Sequence, residues 1–450
     1  MKKLRHLSVL AGIVCALVFA SSANAQSEAK QFPVATKTLK NGMKVLVQSD
    51  HSIPNVALYI FYRIGSRNEH PGTTGLSHFF EHMMFNGAKK YGPGELDKVM
   101  EANGGENNAY TTQNTTVYQD WFPRSALPLI FDIEADRIQY LQFDPKKIAS
   151  EREVVASERR LRTDNDNGGL LDEQLWATAF IAHTYQWPVV GWMSDIEHWT
   201  MEDLKHHFEM GYAPNNATMV VVGDVTPEEI FQLCDKYIEP IPTHAPPPPV
   251  TTVEPEQLGE RRLVVHKPAE LPLLEIGYHV PQTNNPDFYA LNILDTVLVH
   301  GESSRLYQRL VDKDQIALSV FMGADSAFDP TLLVINAQPK QGVDPVACEK
   351  AIYEELDKAK TTFLSDQELE KAKNIRLVQF YQQMRTISGR ANTIGTYEVF
   401  FGDYNRLFEA AKNYSAVTKE DVQRVAKKYF GANNRTVATL LPENEEKTKQ

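Results

Sequence analysis

The chain reads as an α+β protein of two similar tandem repeats, each a mostly antiparallel sheet covered by helices on one face. Three observations predict this class. In both halves, short apolar runs bounded by turn residues are followed by helix-period segments, the order expected when helices gather on one side of a sheet. Near the middle, His244-Ala245-Pro246-Pro247-Pro248-Pro249-Val250 interrupts the pattern, and consecutive prolines favour stiff extended backbone over helix or interior strand. The halves also match in register. Thr200-Met201-Glu202-Asp203-Leu204 precedes Asn215-Asn216-Ala217-Thr218, and Thr418-Lys419-Glu420-Asp421-Val422 precedes Asn433-Asn434-Arg435-Thr436, an offset of 218 at every anchor. One short match arises by chance, whereas a constant offset across helix, turn and strand points to duplication.

The elements follow in order. Lys2, Lys3 and Arg5, the mostly apolar stretch from Leu7 to Ala20, and Ala23-Asn24-Ala25 form the pattern of a secretory signal peptide over residues 1–25. The apolar run is too short for the alternative, a membrane anchor, and no later segment is apolar enough to span a bilayer. Removing 25 of the 450 residues leaves 425 and moves the formal charge from −12 to −15. Such an acidic chain argues against nucleic acid or an anionic membrane as partner. Export across the inner membrane, to a periplasmic location, is the expectation. Residues 26–243 form the first repeat. Met43 to Val47 follows an Asn41-Gly42 turn signal and reads as a strand, as does Val56 to Ile64. Residues 244–257 are the linker and 258–450 the second repeat, where Leu263 to His266 and Leu274 to Val280 are the corresponding strands. In each repeat a Thr caps the shared helix above an acidic first turn. Of the cysteines left after residue 25, Cys234 and Cys348 lie in different halves, and we read them as buried thiols rather than a disulfide.

The candidate chemistry lies in His78-Phe79-Phe80-Glu81-His82. On a helix, His78 and His82 stand one turn apart on the same face, with Glu81 beside them. Two imidazoles so spaced can share one metal ion, and the order is that of the H-x-x-E-H metallopeptidases. A histidine pair at this spacing is commonly surface or satisfied core. Here it encloses a carboxylate in an otherwise apolar helix (Leu76, Phe79, Phe80, Met83), where an unpaired charge is costly. A third ligand must come from elsewhere. Asp144-Pro145 starts a helix expected to run from Lys146 to Arg162, and Glu151 and Glu158, seven apart, share a face of it. Without the histidines, these two acids would read as ordinary helix surface.

At this point the sequence resembles the pitrilysin/insulysin family of zinc peptidases, which includes the mitochondrial processing peptidases. HFFEHMMFNG, from His78 to Gly87, is similar to that family's zinc helix. Glu158, 76 positions after His82 in the context ERE-VVASE, matches its third zinc ligand, and Glu151 its supporting acid. Asn108-Ala109-Tyr110-Thr111 resembles the N-A-x-T edge strand that pairs with substrate backbone. The resemblance covers nearly the whole chain beyond residue 25. It implies a zinc-dependent endopeptidase acting on extended or unfolded peptides, with one Zn²⁺ per chain held by His78, His82 and Glu158. Glu81 is then the general base, Glu151 orients His82, and Asn108, Ala109, Tyr110 and Thr111 line the substrate.

The chain also departs from the family. Members with a complete site carry an Arg and a Tyr, seven apart, that hold substrate from the second half. In the matching stretch Leu310-Val311-Asp312-Lys313-Asp314-Gln315-Ile316-Ala317-Leu318, Val311 and Leu318 occupy those places. Arg390 and Tyr397 share the spacing but lie elsewhere and read as a helix face. The departure implies a heterodimer in which a homologous subunit supplies the missing pair. The alternative is a non-catalytic, peptide-binding subunit of the same fold.

Overall fold

The computed structural model describes residues 33–443, so the signal-peptide pattern at 1–25 lies outside the described residues. The first sheet contains β1 (Ala35–Thr38), β2 (Lys44–Ser49), β3 (Asn55–Tyr62), β4 (Glu106–Thr111), β5 (Thr116–Pro123) and β6 (Ala217–Gly223), in the order β1-β2-β6-β3-β5-β4. The second contains β7 (Arg261–Lys267), β8 (Leu273–Val280), β9 (Ala317–Gly323), β10 (Thr331–Pro339) and β11 (Arg435–Pro442), in the order β7-β11-β8-β10-β9. Both sheets are mostly antiparallel, with one parallel pair each, β2–β6 and β7–β11. The offset of 218 extends beyond the sequence anchors. It relates both ends of β3 and β8, and the starts and ends of the helices Met201–Gly211 and Lys419–Tyr429. Each of these helices opens on a reciprocal capping box, Thr200 with Asp203 and Thr418 with Asp421.

Each sheet packs one face on helices of its own repeat. In the first, Leu58, Ile60 and Tyr62 of β3 meet Phe79 and Phe80 of the helix Leu76–Met83 and Ile130 of the helix Leu127–Tyr140. In the second, Leu274 and Ile276 of β8 meet the helices Phe288–Val299 and Pro345–Thr361. The opposite faces are covered by exchange. The helix Ile387–Phe401, from the second repeat, lays Ala391, Ile394 and Tyr397 on Leu46, Phe61 and Val220 of the first sheet. The helix Asn167–Ala179, from the first repeat, lays Leu171 and Leu175 on Ala438 and Leu440 of the second. This explains why β6 is apolar apart from Thr218 and buried at every residue: both of its faces are covered. Arg390 and Tyr397 are therefore buried in this packing, Arg390 paired with Asp50 and Tyr397 stacked on Phe401 at 4.5 Å between ring centres.

A glycine sits at each crossing. A methyl group at Gly395 would lie 2.0 Å from the Phe61 ring, and one at Gly277 would lie 3.3 Å from Leu332 and 3.5 Å from Leu175. Residues 242–260 form neither helix nor strand. The linker is nonetheless pinned: the Glu254 carboxylate accepts the backbone N–H groups of Ile181, Ala182 and His183, each at 2.9 Å. Cys234 and Cys348 are buried in the cores of different repeats, unpaired, and burial pushes their thiols up to about 12 and about 11.

Two outcomes follow from this packing. Gly395→Ala forces the Phe61 ring to move within a filled core, and should cost about 1–3 kcal/mol in urea unfolding. Asp287 starts the helix Phe288–Val299 and accepts hydrogen bonds from Arg424 (2.6 Å), Lys428 (3.0 Å) and the Tyr429 hydroxyl (2.6 Å). Burial alone would raise its pKa, but these donors hold it at about 2. A depressed carboxyl stabilises the fold above its unfolded pKa of about 3.9 and loses that contribution as pH falls towards 2. Asp287→Asn should therefore cost about 2 kcal/mol at pH 7, with the gap to the parent protein closing between pH 4 and pH 2 in denaturant titrations.

Candidate metal centre

The helix Leu76–Met83 begins at Gly75, whose φ of 90° lies in the left-handed region and whose α-carbon abuts the chain at Val190: a methyl group there would meet the Val190 carbonyl at 2.4 Å. Glycine supplies no cap. The buried Glu69 does so instead, accepting the N–H groups of Gly75 and Ser77 at 2.7 Å each. Phe79, Phe80 and Met83 anchor the helix in the core, which turns His78, Glu81 and His82 the other way. The Tyr118 hydroxyl donates to the Phe80 carbonyl at 2.9 Å and fixes the helix against β5.

The second contributor is the helix Pro145–Arg159, capped by the Asp144 carboxylate accepting from the Lys146 N–H at 2.8 Å. The α-helix ends earlier than the sequence suggests. From Arg160 to Asp164 the chain widens into a π-turn. The start of the 167–179 helix presses against this turn, and a methyl group at Gly169 would lie 2.0 Å from the Arg162 carbonyl oxygen. Arg159 is buried and pairs with Glu173 at 2.8 Å, which ties the two helices together.

These elements bring His78, His82 and Glu158 to one point. Glu158 Oε2 lies 3.3 Å from His82 Nε2 and 3.7 Å from His78 Nε2. Among the described residues they form the one group of His, Cys, Asp and Glu side chains placed to hold a metal ion, with donor atoms within 4.8 Å of one another. Tetrahedral coordination at bond lengths of about 2.1 Å sets ligand atoms about 3.4 Å apart, so two imidazoles and a carboxylate at these separations fit a divalent cation with one position left open. Glu151 Oε1 lies 2.8 Å from His82 Nδ1, which assigns the proton to that nitrogen and leaves Nε2 facing Glu158. Asn86 donates to the other Glu151 oxygen at 2.7 Å. Burial and the neighbouring His82 hold His78 down at about 4, keeping it neutral. For His82, burial acts downward, but hydrogen bonds to Glu151 and Glu158 push it up to about 9. The His82 hydrogen bond in turn holds Glu158 at about 2.

Glu81 is on the same helix face. Burial raises its pKa, opposed by the Thr111 hydroxyl, which donates to Glu81 Oε2 at 2.6 Å. Thr111 ends β4, the edge strand of the first sheet. Of the other β4 residues, Ala109 packs against the first core, whereas the Tyr110 hydroxyl points away from Glu81 and meets Asn392 of the second repeat at 3.3 Å. Asn108 turns its amide oxygen onto the N–H of Ala109 at 2.9 Å. A cavity of about 330 Å³ opens beside the cluster, walled by His78, Thr111, Glu158, Arg162, Asp172 and Trp176. Val311 is partly buried against the second core, and Leu318 lies 48% exposed on the edge strand β9. Neither presents a cation or a hydroxyl. Sequence reasoning missed Glu69, Asn86 and Arg162. Only Arg162 carried a signal, the i, i+4 spacing from Glu158.

Two sheets related by duplication, with a His-His-Glu cluster and a neighbouring carboxylate that occur, among the described residues, in the first repeat alone, define a two-repeat protein of metallopeptidase type. A model of the insulinase family (peptidase family M16) matches residues 44–191, and one of the M16 inactive domain matches 198–376. The zinc protease PqqE of Helicobacter pylori is 32% identical over 446 residues, covering 98% of this chain and all of that protein. An uncharacterized zinc protease of Bacillus subtilis, YmxG, is 23% identical over 87% of this chain and 95% of its own length. The crystal structure of a protease from Helicobacter pylori superposes with a TM-score of 0.89 at 32% identity, covering 91% of this chain and 100% of that one. The chain belongs to the M16 peptidase family. The periplasmic protease PqqL from Escherichia coli shares the fold, with a TM-score of 0.75 at 20% identity over 92% of this chain, which spans 48% of that longer one.

Proposed function

We propose that the chain is a zinc-dependent endopeptidase acting on extended peptides. The observation that carries this reading is the convergence of His78, His82 and Glu158 on one point, with Glu81 and the end of an edge strand beside it. Zinc held by these three residues would supply the Lewis acidity that makes water a nucleophile near neutral pH and would polarise the scissile carbonyl. Glu151 fixes the His82 ring through Nδ1. A substrate backbone adds to the open side of β4, where main-chain hydrogen bonds select extended chain over folded protein. Glu81 takes a proton from the attacking water as the C–O bond forms. It then delivers that proton to the amide nitrogen as the C–N bond breaks. Thr111 orients the Glu81 carboxylate during both transfers. In this reading residues 26–243 are the catalytic repeat, 244–257 the linker and 258–450 the non-catalytic repeat. Export with loss of residues 1–25 to the periplasm rests on the N-terminal sequence pattern. No helix of the described residues is long and apolar enough to cross a membrane.

The Val311 and Leu318 positions extend the reading to a partner. A homologous subunit bearing the Arg/Tyr pair would complete the substrate grip. The relation to PqqL, whose chain is about twice the matched length, supports a paired arrangement of such units. A second reading, a non-catalytic peptide-binding subunit, draws on the inactive-domain match and on the same two positions.

Two measurements separate these readings. Glu81→Gln should retain zinc, by metal analysis, and lose about 10³-fold in peptide cleavage; unchanged cleavage would overturn the catalytic assignment. The isolated chain should cleave a fluorogenic peptide slowly and gain about 10²-fold in kcat when mixed with an equimolar homologue carrying the Arg/Tyr pair. Full activity from a pure monomer or homodimer excludes the partner.

A further inference from the structure

Glu158 has two oxygens, and the fold gives them different neighbours. Oε2 faces the two imidazoles, at 3.3 and 3.7 Å. Oε1 lies 3.0 Å from Nη1 of Arg162, one helical turn on. The Arg162 side chain is 76% exposed, so the ion pair adds little to global stability. Its backbone, by contrast, is held. Arg162 lies in the π-turn Arg160–Asp164, and the start of the next helix closes on it so tightly that only glycine fits at 169. Asp166 locks that start by accepting the Gly169 N–H at 2.7 Å. π-turns inside helices commonly mark functional positions because they re-aim a side chain. Here the turn begins two residues after Glu158, and Arg162 reaches back to it.

The geometry points to Arg162 as a positioning residue that holds the outer oxygen of Glu158 and leaves a single carboxylate oxygen to the metal centre. This rests on the zinc reading of His78, His82 and Glu158. A carboxylate free to turn can offer both oxygens and crowd the open position that water needs. Glu151 does the corresponding work on His82 through Nδ1, so two of the three donors, His82 and Glu158, are constrained from outside. Outer partners of this kind typically contribute 10–100-fold to metal affinity, and the exposure of Arg162 puts it at the lower end.

The test is Zn²⁺ affinity of the full chain, by competition with a chromophoric chelator, for the parent protein, Arg162→Gln, Arg162→Lys and His78→Ala. Thermal unfolding of the metal-free proteins serves as the fold control. Arg162→Gln should bind zinc about tenfold more weakly, Arg162→Lys should recover part of the loss, and the metal-free melting temperatures should coincide. Zinc affinity unchanged in Arg162→Gln, beside a parent protein that binds zinc and a His78→Ala variant that does not, would overturn the role of Arg162 alone, including the case where only KM for peptide rises. A parent protein that takes up no zinc overturns both this role and the zinc reading.

Discussion

A β-sheet has two faces, and in this protein neither repeat covers both of its own. The exchange of one helix each way, 387–401 onto the first sheet and 167–179 onto the second, solves that problem and fixes much else. The close crossings at Gly395 and Gly277 set how near the helices come. The 167–179 helix is also the one that presses the π-turn after Glu158 and binds Arg159 through Glu173. The wall of the candidate metal centre is therefore braced by a helix whose other face is buried in the second repeat. The site belongs to one repeat by sequence and to both by mechanics.

The electrostatics of the centre follow from burial. Two imidazoles and two carboxylates on facing helices would be costly to remove from water unless paired. Each is paired. Glu151 and Glu158 share His82 between them, and His78 stays neutral because its desolvated ring lies beside a second imidazole. A neutral imidazole and an ionised carboxylate are the forms that bind a cation, so the fold prepares two of the three donors. Glu81 is different: among the described residues Thr111 is its one hydrogen-bond partner, and burial raises its pKa, the direction the proposed proton transfer requires.

Much of the fold was legible in the chain because its signals are local. The Thr-x-x-Asp capping boxes, the proline run and the apolar strands each depend on neighbouring residues, and duplication repeats them at a fixed offset. The helix exchange was not legible. The 167–179 and 387–401 helices bury only part of their surface in their own repeat, and no local pattern says which sheet receives the rest. The end of the 145–159 helix was misplaced by three residues for a similar reason, since the π-turn is imposed by the contact at Gly169. Within the site, Glu69 and Asn86 were invisible because their partners are chosen by the turn at Gly75 and by the approach of two helices.

The sequence by itself determined the chemistry on offer: two histidines one turn apart around a carboxylate, and two acids on one face of a second helix. Helical periodicity is enough for that, because it fixes which side chains share a side. Only the tertiary structure decided that Glu158 meets both Nε2 atoms while Glu151 meets Nδ1, that Thr111 of an edge strand reaches Glu81, and that Tyr110 of the same strand turns to the other repeat. Those choices depend on how two helices and a strand edge approach one another, a matter of packing across residues far apart in the chain.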